Sequence, residues 1–278
     1  MNPYTLFVAD IHLQPDPDHP INLTFEAFLK DEAPKAEALY ILGDLFEMWA
    51  GDDVGLDVYA PIIKQIRQLT DNNLAVYCQY GNRDFLMRNA FWQATGIQFL
   101  PEPYAITLYQ HPCLLMHGDR LCTDDTAYQR MRVVLRNPVV QWIFLHLSRK
   151  RRLKIGHKMR LDSAQHSQQK SQAIMDVNEK AIYDLLKQYP ATRHLIHGHT
   201  HRPQHHPLKV DSTSANTPAD VNTRLKTSTQ RHRWVLGDWR ASHDGPSQVL
   251  RLSILGPELI PYTAGQPLPQ LLTFAQSL

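Results

Sequence analysis

A chain of 278 residues suffices for one large domain or two small ones, and its 43% hydrophobic content excludes wholesale disorder. The formal net charge of +2, from 29 Lys+Arg and 27 Asp+Glu, at first argues against anionic partners. The charge is segregated, however: residues 130–170 hold 11 Lys+Arg and one acid, Asp162, leaving 18 against 26 in the rest.

The chain starts MNPYTLFVAD, without a basic run and with an acid at Asp10, unlike a secretory signal peptide. A β-rich apolar run at 6–9 ends in ADIH, which places Asp10 and His12 just past a strand. A second run, 39–42, leads into LGD with Asp44. The spacing of Ile62, Ile63, Ile66 and Leu69 predicts a helix over 60–69. A strand at 74–80 runs into GNRD with Asn82 and Arg83, and one at 113–116 runs into HGD with His117. Residues 128–172 carry few strand signals and are helical and basic, so an inserted cap over 125–172 is expected. Val177, Ala181, Ile182, Leu185 and Leu186 form one stripe and predict a helix across 174–186. A short strand at 195–196 precedes HGHTH with His199 and His201. Residues 211–230 hold eight Ser/Thr in twenty and no apolar periodicity, the composition of a mobile surface loop. Late strands at 233–236 and 249–255 suggest an additional β layer. The alternation of strands and helices reads as α/β, with ligands beyond the carboxyl ends of strands.

The longest apolar run, 139–147, is broken by Gln141 and His146, short of the about 20 residues of a bilayer span. Cys78, Cys113 and Cys122 form no CxxC pair, so a reducing cytoplasm is expected, without disulfides or a thiolate metal site. Fifteen histidines prompt a search for imidazole ligands.

The strand ends carry the same few residue types: Asp10, His12, Asp44, Asn82, His117, His199 and His201. Carboxylate, amide oxygen and imidazole suit Mn²⁺, Fe or Zn²⁺ and suit Cu(I) or iron–sulfur clusters poorly. Two divalent ions about 3.5–4 Å apart need a bridging anion and several further donors each. Seven donors from five loops at one sheet edge meet that demand. Each element alone is weak; five in order, each after a strand, are specific.

The series DxH…GD…GNxD…H…GHTH resembles the calcineurin-like metallophosphoesterases. That resemblance implies a four-layer αββα sandwich with a dinuclear metal site. Asp10, His12, Asp44 and His201 would hold one ion. Asp44, Asn82, His117 and His199 would hold the other, with Asp44 bridging. After the Asn, many members have a His able to protonate a leaving group; here it is Arg83. A guanidinium is always charged and cannot act as that acid, but it clamps phosphate oxygens. A leaving group needing little protonation is then favoured, such as the phosphate monoester released by P–O–P cleavage. The alternative is that Arg83 merely pairs with Asp84.

The stretches FVADIHL, YILGDLFEMWAGDD, YGNRDFL, LLMHGDRLCTDD, HGHTHRP and RWVLGDW are similar to the UDP-2,3-diacylglucosamine pyrophosphatase family of the lipid A pathway. They span about residues 6–239. The resemblance implies hydrolysis to 2,3-diacylglucosamine 1-phosphate and UMP, with two divalent ions, preferably Mn²⁺. Asp44, Arg83 and His199 would be catalytic. Substrate contacts map onto Asn82, Arg83, Asp125, Ser163, Lys170 and His199. A further contact aligns with Ser167, where the family typically has a longer Asn.

An acyl substrate also needs an apolar trough and a bilayer to come from. The run 139–147 precedes 149–154, where five of six residues are basic. This amphipathic stretch, with Trp142, suits the anionic cytoplasmic face of the inner membrane as a peripheral contact. For Val140, Phe144 and Leu147, packing and acyl-chain contact remain alternatives. The protein is expected to be a monomer without a nucleic-acid partner. A nucleic-acid-binding reading of 130–170 explains the charge but leaves seven metal-type ligands without purpose, and the stretch has no zinc-finger or KH signature. A phosphodiesterase acting on another nucleotide or diester is the rival of like chemistry.

Overall fold

Alternation along the first strands divides their side chains between two cores. A computed structural model describes residues 2–169, 176–208, 230–239 and 246–271. In it, β1 (Tyr4–Val8) sends Leu6 and Val8 to one face and Phe7 to the other. The next strand, β2 (Ala38–Leu42), splits Leu39 and Ile41 from Tyr40 and Leu42 in the same way. Both are buried at every position, because both faces of a parallel sheet are covered.

β3 (Ala75–Gln79) and the short β4 (Gln98–Phe99) continue this sheet in parallel. The second sheet contains β5 (Tyr104–Leu108), β6 (His111–Leu115), β7 (His194–His197), β8 (Gln204–Leu208) and β9 (Arg231–Val235), in the order β5-β6-β7-β9-β8. β6, β7 and β9 are parallel, with antiparallel strands at both edges. The chain then returns to the first sheet with β10 (Ser247–Ser253), antiparallel to β1, and β11 (Gly256–Tyr262) at its edge. The two late strands therefore form no additional layer: the first joins the second sheet and the other joins the first. The run expected to be one strand to 255 stops at Ser253, because 254–255 turns into the β10–β11 hairpin.

Helices α1 (Pro20–Asp31), α2 (Asp52–Val58), α3 (Ala60–Asp71) and α4 (Asn89–Thr95) cover the outer face of the first sheet, with Phe25, Phe28, Ile66 and Phe91 in its core. Phe7, Leu115, Ile196, Trp234 and Leu250 fill the space between the sheets. Between β6 and β7 come α5 (Thr126–Leu135), α6 (Pro138–Leu145), α7 (Arg149–Gln169) and α8 (Glu179–Gln188). α8 covers the far face of the second sheet through Ile182 and Leu186, completing four layers. It begins later than the apolar stripe suggests, because the Asn178 side chain caps it by accepting from Ala181 N at 3.1 Å. The polar stretch 211–230 lies outside the described residues except for its last position. Among the described residues, no helix is long and apolar enough to cross a membrane.

α5 and α7 are tied to the body of the protein by charge. The buried guanidinium of Arg152 donates to Asp53 Oδ1 at 2.8 Å and to the Ala50 carbonyl. Arg149 pairs with Asp53 and Asp57. Arg132 binds Asp119 at 2.6 Å, and Arg136 donates to the Gly81 carbonyl at 2.7 Å.

Candidate active site

Each parallel strand delivers its chemistry just beyond its carboxyl end: Asp10 after β1, Asp44 after β2, Asn82 after β3, His117 after β6 and His199 after β7. Asp10, His12, Asp44, His199 and His201 all have positive φ, between 51° and 69°. A non-glycine residue enters this left-handed region at a cost, and strain gathered on five candidate ligands marks a built site. Two glycines permit the close approach. A Cβ on Gly81 would strike the Asp44 carboxylate, and one on Gly198 would strike that of Asp10.

The seven residues converge. Donor atoms of Asp10, His12 and His201 lie within 4.8 Å of one another, as do those of Asp10, Asp44 and His117. Asp10 thus belongs to both groups, a closeness that spacing alone does not give. Asn82 Oδ1 lies 3.0 Å from both His117 Nε2 and His199 Nδ1. His117 Nδ1 donates to the Leu42 carbonyl at 2.9 Å, so Nε2 is the ring nitrogen that faces Asn82 and the cluster. His201 Nδ1 is held 3.2 Å from Asp238 Oδ2, and His199 N donates to Asp10 Oδ2 at 2.8 Å.

The residues fit divalent cations. Asp10 Oδ1 is fully buried, with His201 Nε2 3.4 Å away, and a carboxylate oxygen so placed calls for compensating positive charge. Burial alone would depress the histidines. It does so at His199, which with His117⁺ nearby falls to about 4. At His117 burial is outweighed by Asp44, Asp10, Asp119 and Glu102, which push it up to about 9. At His201 burial is outweighed by Asp10 and Asp238, again to about 9. Buried imidazoles held protonated by surrounding carboxylates report a surplus of negative charge, the field into which a cation fits.

Arg83 does not pair with Asp84. The Asp84 carboxylate is fully buried and accepts from Gly81 N at 2.8 Å and Leu45 N at 2.7 Å. Burial, reinforced by Asp44, pushes its pKa up to about 7. Arg83 instead donates to Glu47 Oε2 at 2.8 Å and lies 3.5 Å from Asp44 Oδ2, on the cavity side. Glu47 also pairs with Arg160 of α7.

A cavity of about 850 Å³ opens beside this cluster. The polar part of its lining includes Asp44, Asn82, Arg83, His199 and His201, with Arg132, Arg160 and Arg202. The apolar part includes Phe85, Leu135, Val140, Phe144, Ile155 and Met159. Asp125 and Ser163 both line it. Asp125 has a second task, since its Oδ1 accepts from Tyr128 N and caps α5. Ser167 lies on α7 with its side chain outside the described residues, and Lys170 is outside them altogether.

Sequence reading missed several contributors. Asp119 accepts from Tyr128 Oη at 2.9 Å and from Arg132, fastening α5 to the loop that carries His117. Glu102 Oε1 accepts from His117 N at 3.0 Å. The signal for Asp119 was its place in HGD; Glu47, Glu102, Arg160 and Asp238 act through long-range contacts that no local pattern announces.

The calcineurin-like phosphoesterase family model matches residues 4–203. The UDP-2,3-diacylglucosamine hydrolase of Pseudomonas aeruginosa is 43% identical over 236 residues, covering 84% of this chain and 90% of that protein. The enzyme of that name from Edwardsiella ictaluri is 46% identical over 208 residues, covering 74% and 79%. That from Serratia proteamaculans is 39% identical over 258 residues, covering 93% and 98%. With the family model spanning most of the chain and such relatives aligned over nearly their whole length, the chain belongs to the calcineurin-like phosphoesterases, among the UDP-2,3-diacylglucosamine hydrolases.

Proposed function

We propose that this protein hydrolyses the pyrophosphate bond of UDP-2,3-diacylglucosamine, giving 2,3-diacylglucosamine 1-phosphate and UMP. The observation that carries the reading is a cavity that meets the donor cluster at Asp44, Asn82, His199 and His201 and whose wall combines several arginines with many apolar side chains. A nucleotide diphosphate joined to a diacyl sugar has that polarity. A water-soluble diester has no use for the apolar lining.

Asp10, His12, Asp44 and His201 would hold one divalent ion, and Asp44, Asn82, His117 and His199 a second, with Mn²⁺ as the preferred metal. Such ions polarise phosphoryl oxygens and water. Arg83 clamps the diphosphate and stabilises charge developing on its oxygens. It supplies no proton, and a departing sugar phosphate needs none at neutral pH. Asp125 and Ser163 contact substrate from the cavity wall, joined by Ser167 and Lys170. Residues 125–172 act as the inserted cap, and Val140 and Phe144 of α6 face the acyl chains.

The opposite side of α6 exposes Val139, Trp142 and Ile143, and Lys150, Arg151 and Lys154 are exposed on the following helix. An apolar ridge beside basic residues suits peripheral attachment to the anionic cytoplasmic face of the inner membrane, where the substrate resides. The protein works there as a monomer.

UMP release from the lipid nucleotide, compared with hydrolysis of bis(p-nitrophenyl) phosphate, tests the assignment. Strong preference for the lipid nucleotide, lost in Asp44→Ala and His199→Ala proteins that remain folded, is expected. Equal or faster turnover of the simple diester would refute it in favour of a general phosphodiesterase.

A further inference from the structure

Several histidines lie far from the candidate active site, and four of them form a row. His111 begins β6, His194 begins β7, His232 is second in β9 and His205 second in β8. The register places them on one face: His194 pairs with His232, and His205 pairs with Trp234, two residues along from His232. Ring centroids step from His111 to His194 at 5.4 Å, from His194 to His232 at 5.5 Å, and from His232 to His205 at 5.0 Å. His111, His194 and His232 sit at the amino-terminal ends of β6, β7 and β9, about one strand length, on the order of 15 Å, from the carboxyl ends beyond which the candidate active site lies. His205, on antiparallel β8 opposite Trp234, joins the row through its side chain.

The last step of the row has distinct geometry. His205 Nε2 and His232 Nδ1 are 2.9 Å apart. Two nitrogens bound to one ion at about 2.0–2.1 Å each lie about 2.9–3.4 Å apart for angles between square and tetrahedral. The metal-free contact therefore already has the spacing of a chelate. The His205 ring is stacked on Trp234, with centroids 4.0 Å apart and planes inclined by 13°. Trp234 Nε1 in turn donates to His194 Nδ1 at 3.2 Å. Indole and imidazoles thus hold one another in place before any ligand arrives, which lowers the ordering cost of binding.

Protonation favours the same conclusion. Burial holds His205 and His232 below the ordinary histidine value, and His232 is lowered further by His205. Both rings are neutral at neutral pH and can each present a lone pair.

We propose that His205 and His232 form a bidentate imidazole site for a borderline divalent transition metal, Zn²⁺, Ni²⁺ or Cu²⁺, separate from the candidate active site. The proton shared between the facing nitrogens moves to the far nitrogen of its own ring, so both rings stay neutral and no proton is released. Water completes the coordination. Two imidazoles without a carboxylate partner select these ions over Mn²⁺ or Mg²⁺, which prefer oxygen. The β8–β9 hairpin that carries the site begins three residues after His201, so the site and the candidate active site share one stretch of chain.

The test uses the full chain loaded with Mn²⁺ and titrated with Ni²⁺ by calorimetry, with Cu²⁺ followed by electron paramagnetic resonance. His205→Gln and His232→Gln should each weaken this Ni²⁺ binding by at least about tenfold, since even the loss of an outer-sphere partner costs that much. Both should also remove the two-nitrogen Cu²⁺ signal. His206→Gln, on the opposite face of β8, should change neither, and all three proteins should keep wild-type UMP release with Mn²⁺. Unchanged Ni²⁺ affinity and Cu²⁺ signal in His205→Gln would overturn the proposal. So would an equal loss in His206→Gln. Failure of UMP release in the wild type would bear on the proposed activity and leave the metal titration interpretable.

Discussion

Asp84 offers the sharpest test of how the site is held together. Its carboxylate has no exposure and accepts two backbone N–H groups, from Gly81 beside Asn82 and from Leu45 beside Asp44. It therefore fastens the loop after β2 to the loop after β3. Asp84→Ala leaves both donors buried without a partner. At about 1–3 kcal/mol for each unsatisfied group, the loss of stability is about 2–6 kcal/mol. Asp84→Asn keeps one acceptor but turns an amide N–H₂ toward the other donor, so it should recover only about half of that loss. Urea denaturation of the three proteins gives the values, provided the m-value is unchanged. UMP release under conditions where every variant is folded then reads the positioning effect separately. A loss below about 0.5 kcal/mol for Asp84→Ala, the range of an ordinary surface substitution, would refute the reasoning.

Arg83→Lys retains the charge but loses the planar fork, and UMP release should fall on the order of 100-fold, with KM changed much less; wild-type turnover would remove Arg83 from the phosphate. Lys150→Gln with Arg151→Gln should weaken flotation with anionic vesicles by about 2 kcal/mol, roughly 30-fold, in a salt-dependent way. Binding indifferent to salt would contradict the electrostatic contact. His194 is held down to about 4 by burial, with His111, His232, Arg193 and His205 adding to the effect. Its folded-state value lies below the unfolded one, so the unfolded chain binds more protons between about 6.5 and 4 and stability falls as pH drops through that window. The contribution reaches about 3 kcal/mol, and His194→Phe should flatten the pH dependence of the urea midpoint between pH 7 and 4.5. An equally steep dependence in the variant would exclude His194 as its source.

The candidate ligands were legible because each stands next to a strand whose apolar run is short and unambiguous. The strand fixes where the chain stops, and the next few residues can only be at the sheet's carboxyl edge. Helix α3 was legible for a similar reason, its Ile62, Ile63, Ile66 and Leu69 stripe being buried as its spacing implies. Sheet membership of the late strands was not legible. Local alternation says that a strand has two covered faces, but not which neighbour it pairs with, so β9 and β10 looked like a layer of their own. The same limit applies to the charges. Arg149 and Arg152 lie within a basic run that reads as facing an anionic membrane, yet they pair with Asp53 and Asp57, more than ninety residues away.

Those partners change what the net charge of +2 means. The basic segment divides by direction. Arg149 and Arg152 point back to the body and anchor α7 against the acidic start of α2. Arg132 and Arg160 join Arg83 around the cavity, Arg132 pairing with Asp119 and the other two with Glu47. Two guanidiniums, Arg83 and Arg160, meet on the one Glu47 carboxylate, which sets them side by side at the cavity wall where a diphosphate would lie. Lys150, Arg151 and Lys154 are left outward, beside the apolar ridge of α6. Glu47 also lies 3.4 Å from His12 Nδ1, which makes it the common neighbour of a candidate metal ligand, the phosphate clamp and the helix above them. Movement of α7 would alter the field at the candidate metal ligands and at Arg83 together, so this carboxylate couples the position of the helix to the chemistry beneath it.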